Sequence, residues 1–188
     1  IRDSSWVKAK DLVSLALQQS PQDPSLIQTL ATVEDKLRKQ KLERKRIDTR
    51  KLNLMEAVAL FKKNDLSAAL KRVQTYFNLG GESKEAFLLK NAILLKTKDY
   101  SDAVNTLNDA ISKFPKEAVF HYSLGKVHYA RKSYEKAIDA FQTSVTLRSG
   151  DAEMHKNLAV SYKKLGNYSE AVKWYQSSLE LKPDDPRL

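Results

Sequence analysis

Residues 118–151 read AVFHYSLGKVHYARKSYEKAIDAFQTSVTLRSGD, and residues 152–185 read AEMHKNLAVSYKKLGNYSEAVKWYQSSLELKPDD. The two align without a gap, and self-similarity at a fixed period of this length is the mark of stacked supersecondary units. Leu124 pairs with Leu158, Gly125 with Ala159, Tyr134 with Tyr168, Ala137 with Ala171 and Phe141 with Tyr175. Bulk and smallness recur together. One unit upstream, Tyr100, Ala103, Leu107, Ala110 and Pro115 stand in the places of Tyr134, Ala137, Phe141, Ser144 and Ser149. One unit further, Ala57, Leu66, Ala69 and Val73 keep register, with Gly80 and Gly81 at the end.

The pattern has a physical reading of its own. Gly125, Ala159, Ala137 and Ala171 lack bulk, so the two helices of a hairpin can approach closely, while Tyr134, Tyr168, Phe141 and Tyr175 fill the space between neighbouring hairpins. Turn signals fall where each first helix should stop, at Lys63-Asn64-Asp65, Thr97-Lys98-Asp99, Arg131-Lys132-Ser133 and Leu165-Gly166-Asn167. With only five Gly and five Pro in 188 residues, turn chemistry is scarce elsewhere and helix formers dominate. The expectation is an all-α chain with eight helices from about residue 50 onward, in units 50–83, 84–117, 118–151 and 152–185.

In period, small-residue positions, mid-unit Tyr and terminal Pro (Pro115, Pro183), residues 50–185 resemble the tetratricopeptide repeats. The resemblance implies an α-solenoid of antiparallel helix hairpins wound into a right-handed superhelix, whose first helices line a concave groove for another polypeptide. Carried over residue by residue, that groove comprises Leu54, Met55, Val58 and Phe61, then Leu88, Leu89, Ala92 and Leu95. Val119, Tyr122, Ser123, Lys126 and Tyr129 follow, then Lys156, Asn157, Val160 and Lys163. The chain departs from the family at Lys90 and Asn91, where Leu and Gly or Ala are preferred, and at His121 and His155, which replace a frequent Trp. Some members clamp a terminal carboxylate with Lys and Asn. Those places hold Leu54, Val58, Leu89, Val119 and Ser123 here, or one unit later Leu88, Ala92, Ser123, Glu153 and Asn157, so a chaperone co-factor of that type is not expected.

Upstream, residues 1–49 read as a helical extension. Ser4 or Ser5 can cap a helix that runs to about Gln19 with Trp6, Val7, Leu12, Val13, Leu15 and Ala16 on a broad apolar face, and Ser20-Pro21-Gln22-Asp23-Pro24 breaks it. A second helix starts near Pro24 or Ser25. Its stripe of Leu26, Leu30, Val33 and Leu37 resumes at Ile47, Leu54, Val58 and Phe61, so one long helix can run into the first repeat, with Asp48-Thr49 as its weakest point.

The chemistry available is limited. Cys is absent, which removes disulfides, thiolate metal sites and a cysteine nucleophile. His121 and His128 lie two helical turns apart, roughly 10 Å, and cannot share an ion. No P-loop, dinucleotide fingerprint or nucleophile with base and orienter occurs. Catalytic residues, metal and cofactor are therefore expected to be absent. No apolar run approaches the roughly 20 residues that span a bilayer. The chain opens on Ile with no charged-then-apolar leader, so a soluble protein with a cytoplasmic lean is expected, and a periplasmic or membrane-anchored form stays open.

The formal charge of +10 is concentrated. Between 36 and 51 stand Lys36, Arg38, Lys39, Lys41, Arg44, Lys45, Arg46, Arg50 and Lys51 against Glu43 and Asp48, a net of +7. On a helix these surround the cylinder, so a solvated connecting helix is the simpler account, with anionic lipid or nucleic acid as the alternative. No aromatic interleaves with them for base stacking.

The functional expectation is a non-enzymatic scaffold or adaptor. Its apolar early groove would be covered by its own helix at 5–19 or by a partner's amphipathic helix. Its later groove, with Tyr122, Tyr129, Lys126, Lys156, Asn157 and Lys163, would take an acidic or C-terminal peptide. The alternative is a repeat protein that holds nucleic acid or an anionic membrane through the basic helix. A homodimer through the uncapped last helix, at Val172, Tyr175 and Leu179, is a third option.

Overall fold

The structure, a computed structural model, describes residues 3–183. Among these are nine α-helices and no strand: α1 (Asp3–Gln19), α2 (Pro24–Lys62), α3 (Leu66–Asn78), α4 (Lys84–Lys96), α5 (Tyr100–Lys113), α6 (Ala118–Ala130), α7 (Tyr134–Leu147), α8 (Ala152–Lys164) and α9 (Tyr168–Leu181). The Cα packing divides the chain into two compact units, Ile1–Asn53 and Leu54–Leu188, with the division inside α2. Each is described separately.

In the second unit the 34-residue step is visible helix by helix. The second helices of successive hairpins begin at Leu66, Tyr100, Tyr134 and Tyr168, and α4, α6 and α8 begin at Lys84, Ala118 and Ala152. Together with the matching repeat pattern, this makes the fold an α-solenoid of helix hairpins.

The turn inside each hairpin is built the same way. Asn64, Lys98, Lys132 and Gly166 have φ of 62°, 61°, 60° and 83°. The next residue then donates its N–H five residues back, Asp65 to Leu60, Asp99 to Leu94, Ser133 to His128 and Asn167 to Tyr162, at 2.9–3.0 Å. This closes the first helix through a left-handed residue. Asp65, Asp99 and Asn167 at once cap the following helix, accepting from the amides of Ala68, Asp102 and Glu170. Ser133 holds that position without a side-chain cap bond.

Between hairpins the core is aromatic early and mixed later. Phe77, Phe87, Phe114 and Phe120 form a chain of ring contacts with centroids 4.8–6.4 Å apart. Further along, Ile138, Phe141 and Val145 of α7 pack with Met154 and Leu158 of α8. Phe141 lies against Gly125, whose missing Cβ would sit 2.5 Å from the Phe141 ring. Gly125 therefore lets an aromatic ring in within its own hairpin, a more specific role than helix approach alone. In each of the last two hairpins one buried hydroxyl ties the two helices together. Ser144 Oγ donates to the Ala118 carbonyl at 3.1 Å and Ser178 Oγ to the Ala152 carbonyl at 2.8 Å.

In the first unit, α1 begins at Asp3, so Ser4 and Ser5 fall within its first turn and are not its cap. Lys36 lies over the Trp6 ring at 4.4 Å, and Lys10 pairs with Glu34 at 2.8 Å. Pro24 opens α2, where the Asp23 carboxylate accepts from the amides of Ser25 and Leu26. The helix is unbroken at Asp48-Thr49. Thr49 Oγ1 donates to the Lys45 carbonyl and Asn53 Nδ2 to the Thr49 carbonyl, both at 2.8 Å, so these polar side chains are satisfied along the helix and do not break it.

Candidate interaction surface

The residues assigned to the groove come together to different degrees. Tyr122 and Lys126 project from α6 one turn apart, with the Lys126 ammonium 5.5 Å from the Tyr122 ring centroid. Asn157 of α8 reaches across to them, its Nδ2 donating to Tyr122 Oη at 2.8 Å and to its own helix at the Glu153 carbonyl at 2.8 Å. Burial, and then the carboxylates of Glu153 and Asp151, push the Tyr122 phenol up to about 12, so it keeps its proton. Lys126 and Lys163 are exposed, while Lys156, Asn157 and Val160 are half-buried. Tyr129, also half-buried, meets the Tyr134 ring at 5.5 Å.

Glu153 belongs to this surface and was not among the residues assigned to it. A signal existed, because one 34-residue step from Val119 lands on Glu153. Its carboxylate makes the local charge mixed, not uniformly basic.

The earlier positions are drawn into the core. Leu88, Leu95 and Val119 pack against the cluster around Phe87, Leu107 and Phe120, and Leu89 against the one around Ala57 and Ile93. Phe61 packs against the second cluster, with the Lys96 ammonium 4.7 Å from its ring. Met55 remains 71% exposed and Val58 38%. The apolar character read there thus serves mainly to join hairpins.

The histidines have structural surroundings. His155 is buried, its Nδ1 2.8 Å from Ser177 Oγ and its ring edge-on to Trp174 at 5.4 Å. Desolvation lowers the pKa of His121 and of His128, which keeps both neutral near physiological pH. Among the described residues no group of three His, Asp or Glu is placed to hold a metal ion, and no helix is long and apolar enough to cross a membrane.

In the basic run, Lys39 pairs with Asp35 at 2.7 Å and Arg50 with Glu43 at 3.0 Å, while Lys36 is occupied by Trp6. Residues 41–49 are exposed on every side of α2, Lys41, Arg44, Lys45 and Arg46 included, and Arg38 is exposed as well. At the last helix, Val172 and Leu179 are 55% and 38% exposed, and Tyr175 is half-buried.

Comparison with known proteins agrees with this architecture. Two tetratricopeptide repeat models match the chain, one over residues 152–185 and the other over residues 93–152. No curated protein matches it in sequence. Among solved structures it resembles MamA, at 19% identity and a TM-score of 0.69, covering 79% of this chain and 87% of that one. MamA from Desulfovibrio magneticus RS-1 gives 20% identity and 0.67, covering 95% and 97%. YrrB, described as a TPR protein with an unusual peptide-binding site, gives 16% and 0.64, covering 94% and 95%. At these identities the likeness is one of fold.

Proposed function

The chain belongs to the tetratricopeptide repeat family, and we propose that it is a non-enzymatic scaffold holding a segment of another protein against the first helices of its last two repeats. The observation that carries this is the join between Tyr122 and Asn157, which makes α6 and α8 one polar surface. Tyr122 accepts from Asn157, and its phenol keeps a proton that can be donated to a ligand carbonyl or carboxylate. Lys126 adds exposed positive charge beside it, and Lys163 is exposed further along α8.

Glu153 sets the register of an acidic ligand. It repels carboxylates near Tyr122, so the ligand's acidic groups belong toward Lys126 and Lys163. The peptide-binding site named for YrrB, of the same fold, supports a peptide ligand.

Co-purification followed by mass spectrometry tests the reading. The intact chain is compared with Tyr122→Ala/Lys126→Ala/Tyr129→Ala and with Lys126→Glu/Lys163→Glu, whose changes are at exposed positions. The expected result is a partner held by the intact chain and lost by both variants, with the Lys pair still melting near the parent temperature. Retention of the same partners by both variants would refute it.

A second reading rests on the full exposure of residues 41–49. A polyanion held there would lose affinity steeply between about 50 and about 200 mM salt, whereas groove contacts would change little.

A further inference from the structure

We propose that the groove between α3 and α5, floored by α4, is a second docking site, for a partner segment in which an acidic side chain stands between apolar ones. It lies away from the surface just described. Phe87, Lys90 and Leu94 share one face of α4, and Leu88, Ala92 and Leu95 lie on the opposite side by helical angle.

One residue common to both cavities of this groove departs from the repeat pattern. In the two following repeats the place of Lys90 is held by Leu124 and Leu158, the latter fully buried. Lys90 is instead half-buried, its ammonium 5.9 Å from the Phe77 ring centroid. On either side of it lie two cavities. The larger, about 490 Å³, is walled by Phe77, Phe87, Thr106 and Lys113, with Glu82 and Asp109. The smaller, about 370 Å³, is walled by Leu70, Lys71, Leu94 and Asp102. Gln74 and Lys90 belong to both. Each cavity is in the size range of ligand sites.

Three features say what fits. The walls are apolar where they are deep, with Phe77 and Phe87 in one cavity and Leu70 and Leu94 in the other, so each takes an apolar side chain. Between them Lys90 has no carboxylate at ion-pair distance among the described residues, and neither has Lys71, whereas Lys113 is committed to Glu82 at 2.5 Å. A half-buried ammonium without a counter-charge is stabilised by an incoming carboxylate. Finally, Thr106 Oγ1, 97% of its residue being buried, belongs to the wall of the larger cavity and has no hydrogen-bond partner. A ligand backbone supplies polar partners that the protein does not. Asp102 and Asp109, on the α5 side, repel a second acidic residue and so favour a single carboxylate at the centre.

The test is an amide NMR titration of the full chain with capped peptides of sequence Ser-Leu-Phe-X-Leu-Phe-Ser, where X is Glu, Gln or Lys. The Glu peptide is expected to shift the amides of Gln74, Lys90 and Thr106 and to bind at least about ten-fold more tightly than the Lys peptide. In Lys90→Leu, which restores the residue type of the other repeats, those shifts should vanish while the melting temperature stays at or above the parent's. Lys126→Glu/Lys163→Glu should keep them. Equal affinity for the Glu and Lys peptides, no shifts at these three residues, or full binding by Lys90→Leu would each overturn the proposal. Shifts at Tyr122 and Asn157 report separately on the groove of α6 and α8, so either reading can fail alone.

Discussion

Gly125 and Ala159 occupy the same place in successive repeats, yet they are not interchangeable. The Phe141 ring, 1% exposed, stands where a Cβ on Gly125 would go. In the last repeat the matching ring is Tyr175, only half-buried, and a methyl is accommodated at Ala159. Gly125→Ala should therefore destabilise the protein by about 1–3 kcal/mol through overpacking, despite the better helix propensity of Ala. Chemical denaturation gives the answer, and an unchanged or raised midpoint would show that the ring can move aside. The sequence alone marks both positions as small. It does not reveal which neighbour requires the smallness, because that depends on how deeply the facing aromatic is inserted.

The hairpin turns show how much of an element is legible from residue types. Asn64 and Gly166 are residues that visit the left-handed region readily, and their turns announce themselves. Lys98 and Lys132 are ordinary residues held at φ of 61° and 60°. Only the 34-residue register, which aligns them with Gly166, identifies their conformation. Holding a non-glycine there costs about 1–2 kcal/mol, and the added freedom of the unfolded chain takes back roughly 0.5–1 kcal/mol, so Lys132→Gly should raise the stability by roughly 0.5–1 kcal/mol. The urea midpoint measures it, and a decrease would mean that Lys132 makes a compensating contact. The serine ties at Ser144 and Ser178 were opaque for a different reason. Their positions read as small-residue sites, and the carbonyls they reach are 26 residues back on the preceding helix.

At the scale of the molecule, the repeat dictates the solenoid, and spacing alone places Tyr122 and Asn157 on neighbouring first helices. What spacing could not assign was the division of labour among groove positions. Leu88, Leu89 and Leu95 follow the same rule as Tyr122 but join hairpins, because a large aliphatic side chain beside an apolar neighbour buries itself, while Tyr and Lys keep a polar end in water. The long α2 is the converse case. Its charged middle carries no packing signal, and the polar side chains of Thr49 and Asn53 are satisfied by carbonyls of the same helix without interrupting it. The central claim is that recognition occurs on α6 and α8. Hydrogen-exchange mass spectrometry of the chain with and without its co-purifying partner addresses it directly. Added protection should appear over residues 118–130 and 152–164; protection confined to residues 36–51, with those two helices unchanged, would contradict it.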